Sequence, residues 1–299
     1  MKILIDFFHF FKKTSIVKPR WTLFFLYLLL GITSFLNLAF FGTLILKRPA
    51  HNHLRSSLSP SFLSCTREVG NNLPINASGI LVAHHWDASG ARLWNENIRF
   101  DPFPSSLPHN PLILDVGGHT DAKDSERLLQ MFPAAKIHIY EPVPLFFAHL
   151  QKKWFGKSCC TVHNVGLGGS TRNVTLRVTD LAGQSTFLME GSMEGEETTM
   201  MHIVDGLNIL SEFLLSGSNQ IDVLHINCEG CEWEFLERLV FTDMIRHVAV
   251  LQVSFHNYGS NGVGLLIYKY CLIREALEES HYPVNVVPFG WERWVLKGL

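Results

Sequence analysis

The sequence carries almost no net charge: 25 Lys and Arg stand against 27 Asp and Glu over 299 residues. Nucleic-acid binders leave a basic footprint, so nothing in the charge balance points to a nucleic-acid partner. Several motifs are missing as well. A dinucleotide fingerprint needs three spaced glycines, and after the first apolar strand-like run only Gly117 is placed for it, with Gly118 beside it. No second Cys-x-x-Cys accompanies Cys228–Cys231, which weakens a zinc reading. There is no Asp-x-Asp, so a type II glycosyltransferase would lack its metal motif. Internal repeats and low-complexity tracts are absent too.

Charge is missing most completely between Thr22 and Leu46, where no Asp, Glu, Lys or Arg occurs. At about 1.5 Å per residue such a helix is long enough for a hydrocarbon core of roughly 30 Å, with some tilt. The run exceeds a signal-peptide core of ~7–15 residues, and no clear small-x-small cleavage site closes it. A signal-anchor is therefore expected. Lys2, Lys12, Lys13, Lys18 and Arg20 precede the run, whereas Lys47, Arg48 and Arg55 follow it. The positive-inside rule then puts residues 1–21 in the cytosol and the bulk of the chain in the lumen of the Golgi or endoplasmic reticulum. The expected product is a single-pass type II membrane protein. Two glycosylation sequons, Asn76-Ala-Ser78 and Asn173-Val-Thr175, are compatible with that side. All six cysteines (Cys65, Cys159, Cys160, Cys228, Cys231, Cys271) lie beyond the run; their even number permits disulfides without identifying pairs.

Residues 47–105 read as a stem, rich in Pro, Ser, Asn and His and weak in periodicity. Trp86, Trp94, Phe100 and Phe103 imply that its second half docks on the folded domain. His84, His85 and Asp87 lack a convincing further ligand, so no metal site is assigned. Residues 106–299 form the expected domain. From Pro111 short apolar runs alternate with amphipathic segments, the pattern of βαβ units. Strands are expected at Leu112–Val116, Lys136–Glu141, Thr161–Val165, Ile221–Asn227 and His247–Phe255. Helices are expected near Ser125–Phe132, Pro144–Phe155, Ile203–Leu215, Trp233–Val240 and Leu265–Ser280. Asn173–Thr179 and Ser185–Met189 suggest an inserted antiparallel pair. Val284–Val287 and Trp291–Leu296, around Pro-Phe-Gly, read as a terminal hairpin. The predicted fold is α/β: a doubly wound, mostly parallel sheet with an antiparallel hairpin at its C-terminal edge. Ligands in such sheets collect at the carboxyl ends of the strands.

Asp115 ends the first strand and leads into Gly117-Gly118, where backbone can approach a ligand closely; an ordinary tight turn reads the same way. Glu141 ends the second strand, and a carboxylate there can take both hydrogen bonds of a ribose diol. Together the two positions indicate a nucleoside-containing ligand. His256 follows the fifth strand, where a cleft should open, and Glu229 follows the fourth. His256 is the candidate base, since an unperturbed imidazole titrates near pH ~6.5, and Glu229 would orient it or hold an acceptor. Glu232 reads as a cap. Cys228 and Cys231 flank Glu229-Gly230 and read as a disulfide or buried thiols ahead of a redox pair. Cys159 and Cys160, being adjacent, would point to opposite sheet faces.

Four segments in order, LILDVGG, IYEPVP, HNVGLGG and IDVLHINCEGCEWEFLE, resemble the motifs of the FkbM-type S-adenosylmethionine methyltransferases over about Pro111–His256. The resemblance implies a class I (Rossmann-like) methyltransferase fold and S-adenosylmethionine as cofactor, held by Asp115, Gly117, Gly118, Glu141 and Asn164. It also implies O-methylation of a glycan or other hydroxylated small molecule. Departures fall at His119 and Asp121 in the first loop, where the family has asparagine and then glycine, and at His225 and Asn227, where it has lysine and aspartate. They leave open a second reading, a methyltransferase-fold binding protein without turnover.

Overall fold

A computed structural model describes residues 59–72, 100, 103–177, 198–256 and 263–299. The expectations for Thr22–Leu46, Asn76, His84, His85, Asp87, Trp86, Trp94 and 185–189 lie outside these residues. Among the described residues no helix is long and apolar enough to cross a membrane. All of them belong to one compact unit, Ser59–Leu299.

Seven strands form the central sheet: β1 (Leu112–Val116), β2 (Lys136–Tyr140), β3 (Cys160–His163), β7 (Ile221–Ile226), β8 (Val248–Ser254), β9 (His281–Val286) and β10 (Trp291–Leu296). Their order is β3-β2-β1-β7-β8-β10-β9. β1, β2, β3, β7 and β8 pair in parallel. β10 runs antiparallel to both β8 and β9. The chain therefore reverses its direction of travel across the sheet at β1, the topological switch point of a doubly wound fold. This is a mostly parallel, Rossmann-like sheet. The terminal hairpin forms as expected, but its reversed strand is one place in from the edge, and the edge strand β9 runs with the core.

Alternation along each strand splits the apolar residues between two layers. Leu114, Tyr140, Leu224 and Leu251 pack in one, together with α5 (Cys231–Phe241) and α6 (Val263–Ser280). Ile113, Ile139 and Val223 pack in the other against Leu128 of α2 (Lys123–Met131) and Leu150 and Trp154 of α3 (Pro144–Trp154). Both faces of β7 and β8 are fully buried, which is why those strands read as continuous apolar runs.

A second, three-stranded sheet has the order β4-β6-β5, with β4 at Gly166–Gly168, β5 at Arg172–Arg177 and β6 at Thr198–Asp205. The antiparallel partner of β5 is thus β6. Ile203–Asp205, expected to open a helix, instead ends β6, and helix α4 begins at Gly206 (Gly206–Leu215). Asp205 caps it by accepting the N–H of Leu207 at 3.0 Å, which fixes the helix start three residues later than apolar periodicity alone would.

The segment expected to be stem contains helix α1, Pro60–Asn72. Ser59 caps it through the N–H of Phe62 at 3.0 Å, and Pro60 starts it. Phe62, Cys65 and Val69 share its buried face. The apolar pair is worth roughly 1.5–3 kcal/mol per side chain when fully buried. A disulfide from Cys65 to Cys271 bolts α1 to α6. Phe100 and Phe103 pack on the second core as expected.

Candidate active site

A cavity of about 320 Å³ opens at the carboxyl ends of β1, β2 and β7, within the range of small-molecule sites. Its walls include Gly117, Gly118 and His119 after β1, Glu141 after β2, and Asn227, Cys228 and Glu229 after β7.

The loop after β1 is tied to β2: the N–H groups of Gly117 and Gly118 both donate to the Tyr140 carbonyl, at 2.9 and 3.2 Å. Gly117 has φ +102°, and a Cβ there would stand 2.0 Å from the Asn227 carbonyl oxygen. A Cβ on Gly118 would meet Ile139 and Leu150 at 2.5 and 2.8 Å. Both glycines are therefore demanded by packing beneath the loop, and the cavity lies on their other side.

Glu141 is 4% exposed. One carboxylate oxygen accepts the His119 N–H at 2.7 Å and the other the Val143 N–H at 2.8 Å. Burial pushes its pKa up to about 7 although those two N–H groups pull it down; Asp115 adds to the rise. Each oxygen keeps a further acceptor direction. Asn164 stands behind this residue: its amide donates to the carbonyls of Glu141 and Pro142 at 3.0 and 3.3 Å and does not line the cavity. Asp115 lies below it. That carboxylate is 1% exposed and accepts a hydrogen bond from Ser125 of α2. It sits 4.0 Å from His225, which is itself 3.0 Å from Asp124. Asp124 reaches the cavity and Asp115 does not. The sequence assigned Asp115 and Asn164 to the cofactor site, Asp115 acting directly or through water. The structure makes them supports of the loops that form the walls, because each side chain is turned to the backbone or helix beneath.

Past β7 the chain makes a two-residue left-handed turn, Glu229 at φ +56° and Gly230 at φ +114°, inside the Cys228–Cys231 disulfide. Glu232, fully buried, clasps this turn to the end of β8. One oxygen accepts the Gly230 N–H at 2.8 Å and the other the His256 N–H at 2.7 Å. The His256 ring lies between two carboxylates, with Nδ1 3.3 Å from Glu232 and Nε2 3.4 Å from Glu229. Burial alone would lower its pKa; Glu232 and then Glu229 outweigh that and raise it. Burial raises the pKa of Glu229, with Glu232 adding and His256 opposing.

Glu229 and His256 thus meet, as the sequence implied, but in the reverse order. Glu229 lines the cavity, whereas His256 is 7% exposed and stands behind it. The two carboxylates favour the charged form of the His256 ring, and of the pair it is Glu229 that lines the cavity. Two further atoms at the cavity, Glu229 Oε2 and Asn227 Oδ1, are buried without a hydrogen-bond partner among the described residues. Asn227, noted in the sequence only as a departure, is part of the wall. Both atoms belong to residues that line the cavity, and buried acceptors left without donors are costly.

The Cys228 and Cys231 sulfurs and the Glu232 carboxylate lie within 4.8 Å of one another, but the sulfurs are bonded and offer no thiolate for a metal. Cys159 and Cys160 do not point apart: their sulfurs are 3.1 Å from each other. Cys159 precedes β3, so strand alternation does not govern it.

The chain is similar in fold to solved methyltransferases. Among them are methyltransferase FkbM from Methylobacillus flagellatus KT, at 11% identity and TM-score 0.42 over 79% of this chain, and the O-methyltransferase TomG from Streptomyces achromogenes, in complex with SAM, at 11% identity and TM-score 0.37 over 82% of this chain and 93% of that one. A third is the SAH-bound methyltransferase PaMTH1 from Podospora anserina, at 9% identity and TM-score 0.35 over 80% of this chain and 89% of that one. The chain spans 58% of the FkbM chain it matches. No family model and no curated protein sequence matches it.

Proposed function

We propose that this protein is an S-adenosylmethionine-dependent O-methyltransferase, acting on a glycan or another hydroxylated acceptor in the lumen of the secretory pathway. The observation that carries the reading is the cavity wall at the switch point, where Glu141, Asp124, Asn227 and Glu229 gather at the carboxyl ends of the strands. A wall of carboxylates and acceptors suits a ligand with cationic and hydroxyl groups, which a sulfonium nucleoside carries. The same wall repels a nucleoside diphosphate, which argues against a glycosyltransferase.

When bound, the cofactor supplies an electrophilic methyl group for in-line transfer to an oxygen. The protein's part is alignment, which can lower the barrier by roughly 7–11 kcal/mol, and removal of the acceptor's proton. Glu141 is placed for the ribose hydroxyls, with Asn164 and the His119 N–H fixing its position. The Glu229 carboxylate takes the acceptor proton. Its raised pKa brings it toward the pH at which a general base works best. His256 holds one Glu229 oxygen in place, and Glu232 holds His256.

The two disulfides support a lumenal location, because such bonds persist in oxidising compartments. The signal-anchor at Thr22–Leu46 and the sequons fit with it. Asn173 is exposed on β5, open to an attached glycan.

The test is calorimetric titration of the full chain with S-adenosylmethionine. Binding is expected, weakened about 5- to 150-fold in Glu141→Ala through loss of about 1–3 kcal/mol of hydrogen bonding. Glu229→Gln should bind the cofactor as the parent does and lose turnover by about 10²–10⁴-fold. A chain that fails to bind the cofactor refutes the reading. Binding without transfer to any hydroxyl acceptor would favour the non-catalytic alternative. One observation speaks for that alternative, the engagement of both Glu141 oxygens by backbone N–H groups.

A further inference from the structure

The protein's two disulfides are built differently. Cys65 and Cys271 are 206 residues apart and buried between two helices. Cys228 and Cys231 are three apart and both line the cavity. Cys228 is partly exposed there, while Cys231 is 1% exposed and is the first residue of α5. A reachable sulfur in front, with a buried sulfur at a helix N-terminus behind, is an arrangement that favours exchange. An incoming thiolate can attack the first, and the helix terminus stabilises the second as it leaves. The residues between them are the left-handed pair Glu229 and Gly230. A non-glycine residue persists in that conformation only where its surroundings over-determine it. Here two closures do so, the disulfide and the Glu232 clasp on the Gly230 N–H.

We propose that Cys228–Cys231 is a site of thiol–disulfide exchange with a dithiol reductant, and that opening it releases Glu229 from His256. One thiolate of the dithiol attacks the Cys228 sulfur, and Cys231 leaves as a thiolate and takes a proton. The second thiol of the reductant then attacks its own sulfur in the mixed disulfide. Cys228 departs as a thiol and the reductant becomes a disulfide. Two electrons and two protons pass to the protein. The turn then keeps only the Glu232 clasp, and Glu229 relaxes from the left-handed region, away from the cavity wall and the ring behind it. Any bearing on turnover rests on the methyl-transfer reading; the exchange itself does not.

The experiment uses the full chain, with Cys159 and Cys160 first blocked by iodoacetamide. Dithiothreitol is titrated in, new thiols are trapped with N-ethylmaleimide, and the four remaining cysteines are read by peptide mass spectrometry. Cys228 and Cys231 should be labelled at a reductant concentration at least about tenfold below that needed for Cys65 and Cys271, with far-UV circular dichroism unchanged. In that selectively opened form the His256 ring, followed by NMR, should titrate at a lower pH than in the oxidised protein, because one of its two flanking carboxylates has left. A double Cys228→Ser, Cys231→Ser variant should show the lower value without reductant. Both bonds opening together, or Cys228–Cys231 opening only as the fold is lost, would overturn the exchange site. An unmoved His256 titration in the opened form would overturn the release of Glu229.

Discussion

Glu232→Ala tests the clasp on which the site depends. The carboxylate is fully buried and accepts two backbone N–H groups, from Gly230 at 2.8 Å and His256 at 2.7 Å. Hydrogen bonds to a charged group contribute about 1.5–3 kcal/mol each, so removing both costs about 3–6 kcal/mol and leaves two buried donors unpaired. Glu232→Gln keeps one carbonyl acceptor but sets an amide N–H against the other donor, and should lose about half as much. Urea unfolding measures both. The pH dependence separates the clasp from simple packing. Glu232 is the foremost of the groups that raise His256 above its ordinary value. A histidine raised in the folded state contributes stability that is fully present below its unfolded pKa and fades as pH rises through the folded one. The deficit of Glu232→Gln against the parent should therefore be larger in acid and shrink on the alkaline side of the raised His256 pKa. A loss under about 1 kcal/mol for the alanine variant, or a deficit independent of pH, would refute the reasoning.

Other outcomes follow from the same geometry. Cys271→Ser should lower stability by about 2–5 kcal/mol, since the lost bond closes a very long loop, and an unchanged urea midpoint would make the α1–α6 bolt ornamental. Gly117→Ala places a methyl group against the Asn227 carbonyl at a left-handed φ; a loss of about 2–4 kcal/mol is expected, with cofactor affinity falling alongside it by calorimetry. His138, 3.0 Å from His163, is pushed down from 6.5 to about 4 by burial and then by His163 and Lys136. The unfolded chain thus binds the extra proton first, and stability should fall as pH drops from 6.5 toward 4; His138→Phe should flatten that limb of the stability–pH curve. Glycosidase treatment of the protein from a eukaryotic host should increase its gel mobility through Asn76 or Asn173, and digestion of the domain by protease added outside sealed microsomes would contradict the lumenal orientation.

What could be read in the sequence was set by periodicity and by strand ends. β1, β7 and β8 are short, mainly apolar runs buried on both faces, β2 alternates between buried isoleucines and the more open Lys136 and His138, and the limits of all four fall within a residue or two of expectation. Helix α1 was missed although its signals are present: Ser59-Pro60 is a cap followed by a first-turn proline, and Phe62, Cys65 and Val69 share a face. Three buried residues in thirteen are too few to stand out from a Ser- and Asn-rich background; the partner that makes the face worth burying, α6, lies some 200 residues away. The boundary between β6 and α4 was missed for a related reason, because Ile203 and Leu210 are apolar and buried in either conformation and only the Asp205 cap separates them.

The site shows the same limit more sharply. Strand ends brought Glu229, His256 and Glu141 to one region, and that much follows from the topology of a parallel sheet. Depth does not follow from topology. Glu229 lines the cavity, with His256 behind it, because two consecutive left-handed residues turn the loop inward and a buried carboxylate pins it to the end of β8. A sequence shows Cys-Glu-Gly-Cys-Glu, in which the glycine permits the turn, but it does not show that Glu229 adopts the left-handed conformation beside it. Nor does it show that Glu232 accepts hydrogen bonds both from Gly230 beside it and from His256, 24 residues further along the chain. The choice between imidazole and carboxylate as the base depends on that fold of five residues. An ordinary solution pKa favours histidine, but the two carboxylates around the buried ring raise its pKa, and burial raises that of the carboxylate in front of it. If this is right, the pH profile of methyl transfer will report a single ascending limb belonging to Glu229. It should disappear in Glu229→Gln, whereas in His256→Gln it should persist with a shifted midpoint; a profile whose ascending limb vanishes with His256 and survives without Glu229 would restore the histidine as the base.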